Sequence, residues 1–214
     1  MRGKEGLKQV FPSSGNPVGW RSKMNGPHSP PPLGKETILK ALSILGEKLQ
    51  AEGVIGEICL FGGTAMILAF NARLSTQDVD AVFQPPEIIR RKAREIAEEI
   101  NLPPDWLNDG VKGYVSNAPE YTNDGLPQMP NLRIIRPTAE YLLAMKCMAS
   151  RFPSYTTKGD KEDILFLINH LGLKNAEAVF KAVEKFYAPE HILPKTHFLI
   201  QELLEKGAGS VDSA

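Results

Sequence analysis

Ile58-Cys59-Leu60-Phe61-Gly62-Gly63-Thr64, followed after a gap by Asp78-Val79-Asp80-Ala81-Val82-Phe83, is the stretch that decides how this chain is read. The apolar run 58–61 predicts a short buried strand, and Gly62-Gly63 breaks it. Thr64-Ala65-Met66-Ile67-Leu68-Ala69-Phe70 predicts a helix that opens at once, and 78–83 predicts a second strand. Side chains at i and i+2 of a strand share a face, so Asp78 and Asp80 project together while Val79 and Ala81 face the other way. Two adjacent carboxylates repel unless a cation lies between them. Mg²⁺ prefers one or two carboxylates completed by substrate phosphates and water. Gly62, Gly63 and Thr64 put small residues and backbone N–H groups at the start of a helix, where phosphate is favoured. Either half alone has a plain alternative, a strand–helix turn or an exposed strand face. Together they predict a phosphate cradle beside a divalent-metal pair, the combination that nucleotidyl transfer requires.

Working outward, Ile38, Leu39, Leu42, Leu45 and Leu49 recur at helical spacing and predict a helix ending near Gly53. Pro86 sits where a helix would start, with Ile89, Ala93, Ile96 and Ile100 as its inner stripe and the charges at 87, 91, 94, 95 and 98 as a solvated outer face. Trp106 reads as core. Residues 116–131 hold three prolines and a glycine and read as a long loop. Leu132 to Ile135 reads as a third strand, and helices are expected over about 138–151, 160–171, 175–187 and 195–206. The expected fold class is α+β: a small mixed sheet flanked by helices over 35–136, then a helical subdomain over 137–206 packed on it.

The 214 residues carry 25 Lys+Arg and 25 Asp+Glu, with 42% hydrophobic and 23% charged residues, as in ordinary globular proteins. Neutrality argues against nucleic-acid binding through bulk charge alone. The balance is uneven, however. Residues 1–34 hold five basic residues and one acid, with six prolines and six glycines, so residues 35–214 carry a net −4. The first segment reads as a disordered basic tail, or as residues preceding a start at Met24, and 207–214 as a frayed end. No apolar run approaches the roughly 20 residues of a membrane span, and no apolar stretch follows Arg2, Lys4 and Lys8 to make a secretory signal. Cys59 and Cys147 lie in apolar stretches and read as buried thiols, which fits a cytoplasmic protein.

Phe61-Gly62-Gly63-Thr64-Ala65, Arg73-Leu74-Ser75-Thr76 and Asp78-Val79-Asp80 resemble the signature of the DNA polymerase β-like nucleotidyltransferase superfamily. They are most similar to the bacterial and archaeal branch that includes AbiEii-type toxins. Leu102-Pro103-Pro104-Asp105-Trp106-Leu107-Asn108-Asp109, Tyr141 to Lys146, and Arg151 followed by Asp160 and Asp163 extend the resemblance over most of 37–172. It implies the minimal nucleotidyltransferase fold and transfer of a nucleoside monophosphate from an NTP to a hydroxyl of tRNA or of a protein. Mg²⁺, as one or two ions, would be held by Asp78 and Asp80. The nucleotide would be held by Gly62, Gly63, Thr64, Arg73 and Ser75. Lys146 and Asp163 would join the aspartate pair as catalytic groups, and a cognate antitoxin protein would restrain the enzyme. Two departures stand out: 14 residues separate Gly63 from Asp78, and the strand Leu132-Arg133-Ile134-Ile135 lacks the third carboxylate of many superfamily members.

From the residues themselves, Lys146 is a cation on an apolar helix, either reaching water past its neighbours or aimed at phosphate or Asp80. Asp160 also reads as a helix cap and Asp163 as an acid in that helix's first turn. Ser75 and Thr76 read equally as caps of the loop before the strand. A catalytically degenerate nucleotide-binding module and a small-molecule (antibiotic) nucleotidyltransferase stay open as alternatives.

Overall fold

The computed structural model describes residues 31–149 and 158–208. Most of the expected tail, the Arg151 position and the last residues lie outside them. Among the described residues the fold is mixed α/β, with seven α-helices, a five-stranded sheet and a two-stranded one. Two compact units divide the chain: residues up to 113 together with 121–136, and 114–120 together with 137 onward.

The first unit begins with β1 (Leu33–Gly34), which pairs antiparallel with β3 (Ser75–Thr76). The expected tail of 1–34 therefore overruns an ordered strand. Leu33 is buried, and its apolar side chain joins the core cluster, which is why the chain is held there. Helix α1 (Lys35–Ala51) follows. It ends where Gly53 adopts φ +66°, with Gly53 N–H on the Gln50 carbonyl and Val54 N–H on the Leu49 carbonyl. That pairing is a Schellman motif, and the left-handed residue in it is glycine because a Cβ is penalised there.

The five-stranded sheet runs in the order β5-β4-β2-β7-β6. Its centre is β2 (Gly56–Leu60), antiparallel to β4 (Val79–Gln84) and parallel to β7 (Leu132–Pro137). Two short strands flank these: β5 (Leu107–Asn108), parallel to β4, and β6 (Tyr121–Thr122). The segment read as a loop over 116–131 thus contributes an edge strand, too short to show a period.

Alternation sorts the sheet's two faces. Ile58, Leu60, Val79, Ala81, Phe83, Leu132 and Ile134 share one core with the inner stripes of α1 and of α3 (Pro86–Glu99). Cys59, Asp80, Val82 and Ile135 occupy the alternate positions and so the opposite face. Asp80 lies on that face within β4, whereas Asp78 precedes the strand and has no place in its register. Helix α2 (Gly62–Leu68) leaves β2 after a single residue, Phe61.

The outer face of α3 differs from the i,i+4 ladder that its sequence suggests. Arg91 and Lys92 reach back to Glu52 at 2.7 and 2.6 Å, and Arg90 bridges Glu87 and Asp109. Lys92 is buried, and its two carboxylate partners Glu52 and Glu95 hold its ammonium above the usual lysine range against the effect of burial.

The second unit is helical: α4 (Ala139–Ala149), α5 (Lys158–His170), α6 (Ala176–Glu184) and α7 (Pro194–Ala208). Residues 141–147 of α4 are all buried, Lys146 among them, so over that stretch the helix has no solvent-facing side. The Tyr141 and Phe186 rings stand 4.8 Å apart. Segment 114–120 joins this unit for identifiable reasons. Ser116 N–H donates to Tyr141 Oη at 2.8 Å, the Tyr187 hydroxyl donates to the Tyr114 carbonyl, and Thr138 N–H donates to the Glu120 carbonyl.

Candidate active site

The candidate site is built where β2 hands over to α2 beside the start of β4. Phe61 N–H donates to the Asp80 carbonyl at 2.9 Å, which fixes the strand end at the level of the second aspartate. The next residue, Gly62, has φ +55°. A Cβ built there would lie 2.8 Å from Asp80 Oδ2, so the carboxylate lies directly against this glycine's backbone. Glycine is required twice over, by the left-handed turn and by the close approach.

Gly63 is equally crowded. A Cβ there would meet Thr76 Oγ1 at 2.5 Å and an Arg73 guanidinium nitrogen at 3.3 Å. Arg73 is thus brought to the Gly-Gly turn, as expected. Ser75 is not. The hydroxyl beside Gly63 belongs to Thr76, and successive strand residues point to opposite faces. A two-residue strand gives no pattern from which to read its parity, so the sequence could not separate Ser75 from Thr76.

Thr64 also takes a different place from the one expected. Its side chain is fully buried, and its hydroxyl donates to the Asp78 carbonyl at 3.4 Å. It therefore holds the backbone of the first aspartate, and the residue is buried as a whole. Asp78 is fixed at its side chain as well: Asn108 Nδ2 donates to Asp78 Oδ2 at 3.0 Å. Sequence reasoning missed Asn108. It lies opposite Asp80 in the parallel β4–β5 register, which Val79 N–H secures by donating to the Trp106 carbonyl at 2.6 Å. Trp106 is fully buried, as its reading as core requires, and its indole N–H donates to the Ala93 carbonyl of α3 at 2.9 Å.

Beyond Asn108, Asp109 receives Arg90 and Lys112, each at 2.6 Å. Burial acts to raise the Asp109 carboxyl, but these two donors outweigh it and hold it below the usual range. It stays an anion and pins the turn that follows β5.

Asp80 is buried and Asp78 half-buried. Among the described residues no group of three or more His, Cys, Asp or Glu side chains converges. A Cβ at Gly62 would fall on Asp80 Oδ2, so the missing side chain is what lets this carboxylate sit against the turn. Asp78 and Asp80 are hard oxygen donors, the kind that Mg²⁺ takes together with phosphate and water.

Lys146 and Asp163 belong to the second unit. Lys146 Nζ lies 2.7 Å from Asp163 Oδ2 and 2.9 Å from Asp160 Oδ1, and Asp163 is almost wholly buried. Burial disfavours the Lys146 ammonium, but the two aspartates more than compensate and raise it above the usual lysine range. The two carboxylates thus favour the ammonium form of this lysine. The helix holding the aspartates starts at Lys158, two residues ahead of Asp160. Asp160 is therefore a first-turn residue and not the cap, and Asp163 lies beyond the first turn. Both acids serve the lysine instead.

Compared with protein-family models, with curated proteins and with solved structures, the chain has no match in any of the three.

Proposed function

We propose that this chain is a Mg²⁺-dependent nucleotidyltransferase that moves a nucleoside monophosphate from an NTP to a hydroxyl acceptor. The observation that carries this reading is the Asp80 carboxylate lying against the side-chain-free backbone of Gly62, 2.8 Å from where a Cβ would be. The Arg73 guanidinium beside Gly63 would supply positive charge to a triphosphate held at this turn. Asp78 and Asp80 would hold Mg²⁺. Bound there, it would neutralise charge on the triphosphate and lower the pKa of the attacking hydroxyl. Thr64 keeps the Asp78 backbone in place while the β2–β4 pairing keeps Asp80 in place.

The sequence resemblance supplies the acceptor class, tRNA or a protein, and the idea that an antitoxin partner restrains the enzyme. The test is incubation of the full chain with Mg²⁺, α-labelled NTPs and either total tRNA or cell lysate. Label should enter one of those pools with wild type and stay out with Asp80→Asn. Equal labelling by the two proteins, or none by either, rules the proposal out.

A further inference from the structure

The Asn108 amide is held at both ends. Its Oδ1 accepts from Gly110 N–H at 3.0 Å, and its Nδ2 donates to Asp78 Oδ2 at 3.0 Å. This double engagement settles which way the amide faces. Turned over, its oxygen would face a carboxylate oxygen and its NH₂ would face a backbone N–H, two repulsive contacts in place of two bonds. The strand beneath it is fixed in turn: β5 runs parallel to β4 with Asn108 opposite Asp80, and the neighbouring Trp106 is anchored by its indole N–H on Ala93. A donor so constrained fixes one oxygen of Asp78 and thereby the rotamer of the whole carboxylate.

We propose that Asn108 is a positioning residue that orients the Asp78 carboxylate for the cation it shares with Asp80. This inference rests on reading Asp78 and Asp80 as cation-holding carboxylates. An amide suits the task better than another acid. It donates to one carboxylate oxygen without adding charge, and it leaves the remaining lone pairs of Asp78 directed by geometry rather than by repulsion. Groups that orient metal-binding carboxylates in this way typically change metal affinity by about 10- to 100-fold when removed.

The probe is Mn²⁺, counted by electron paramagnetic resonance on the full chain, alone and with an NTP analogue whose α and β phosphates are joined by a methylene. Wild type, Asn108→Ala, Asn108→Ser, Asp78→Asn and the Asp78→Asn/Asn108→Ala double variant are compared, each with its thermal unfolding curve. Asn108→Ser retains an oxygen that can accept from Gly110 N–H but is too short to reach Asp78, so it separates positioning from folding. Both Asn108 variants should bind Mn²⁺ roughly 10-fold or more weakly than wild type. Asn108→Ser should keep the wild-type unfolding midpoint, and the double variant should bind no more weakly than Asp78→Asn alone. If Asn108→Ser binds Mn²⁺ as wild type does while Asp78→Asn does not, the positioning role is overturned and the cation site stands. If Asn108→Ala weakens binding further in the Asp78→Asn background, Asn108 acts otherwise than through Asp78 and the proposal is again overturned. If wild type binds no Mn²⁺ in either condition, the cation reading falls and this inference with it.

Discussion

Replacing Gly62 by alanine tests the turn at the centre of the site, and a second glycine supplies its control. Gly62 and Gly53 both have positive φ, +55° and +66°. An added Cβ costs roughly 1–2 kcal/mol in the left-handed region. At Gly53 nothing lies within 4 Å of the added atom, so Gly53→Ala should show that backbone penalty alone. At Gly62 the added atom lies 2.8 Å from Asp80 Oδ2. Non-bonded atoms prefer about 3.5 Å or more, so the carboxylate must retreat by roughly 0.7 Å. A displacement approaching 1 Å at reacting groups can cost about 100-fold in rate, so Gly62→Ala should lose about ten- to a hundredfold in nucleotide transfer. Both variants should unfold a few degrees below wild type, at about 2–4 °C per kcal/mol for a chain of this size. The assay pairs thermal unfolding with labelled-nucleotide transfer for wild type and both variants. Equal activity of Gly62→Ala and Gly53→Ala would refute the claim that the close approach of Gly62 to Asp80 matters to function.

Other consequences can be measured without knowing the acceptor. Lys146→Met strands the buried Asp163 carboxylate and should cost about 3–5 kcal/mol in urea unfolding, part of which Lys146→Met/Asp163→Leu should recover. Because the Lys146 pKa is raised on folding, its stabilisation is fully present below the unfolded value of about 10.4 and is lost as pH rises through the folded value. The stability gap between wild type and Lys146→Met should therefore narrow above about pH 10.4, and a gap that stays constant to higher pH would contradict the pairing. Trp106→Phe keeps an aromatic ring but removes the donor to the Ala93 carbonyl, and urea unfolding should show a loss of about 1–3 kcal/mol. Burial pushes the Cys147 thiol up to about 12 and raises Cys59 as well, so neither should react with an aromatic disulfide at pH 8 until the chain unfolds. A rapid native-state reaction would place one of them at the surface.

What was legible in the sequence follows from which signals have a period. The α1 and α3 stripes come from helical spacing and the place of Asp80 within β4 from alternation, and Gly62-Gly63 is marked by composition. Asn108 and Thr76 sit on strands of two residues, where no period exists, and their roles come from pairings with Asp80 and Leu33 that are distant in sequence. Arg91 read as part of a solvated i,i+4 ladder because its partner Glu52 lies beyond a different helix. Thr64 follows Gly-Gly and invites a phosphate reading. Its hydroxyl instead bonds the Asp78 carbonyl, a partner fourteen residues away that the sequence does not mark. Lys146 invited two readings; the resemblance paired it with Asp163, whereas Asp160 read from its residues only as a helix start.

The central claim is that Asp78, Asp80 and the Gly62-Gly63 turn make a site for nucleotide transfer. It is tested most directly by following the α and γ phosphates of one NTP separately in the presence of Mg²⁺ and total tRNA or cell protein. The account predicts that α label becomes covalently attached to a macromolecule, that γ label leaves as pyrophosphate in equal amount, and that Asp78→Asn abolishes both. Attachment of γ label, or unchanged α labelling by Asp78→Asn, would contradict it.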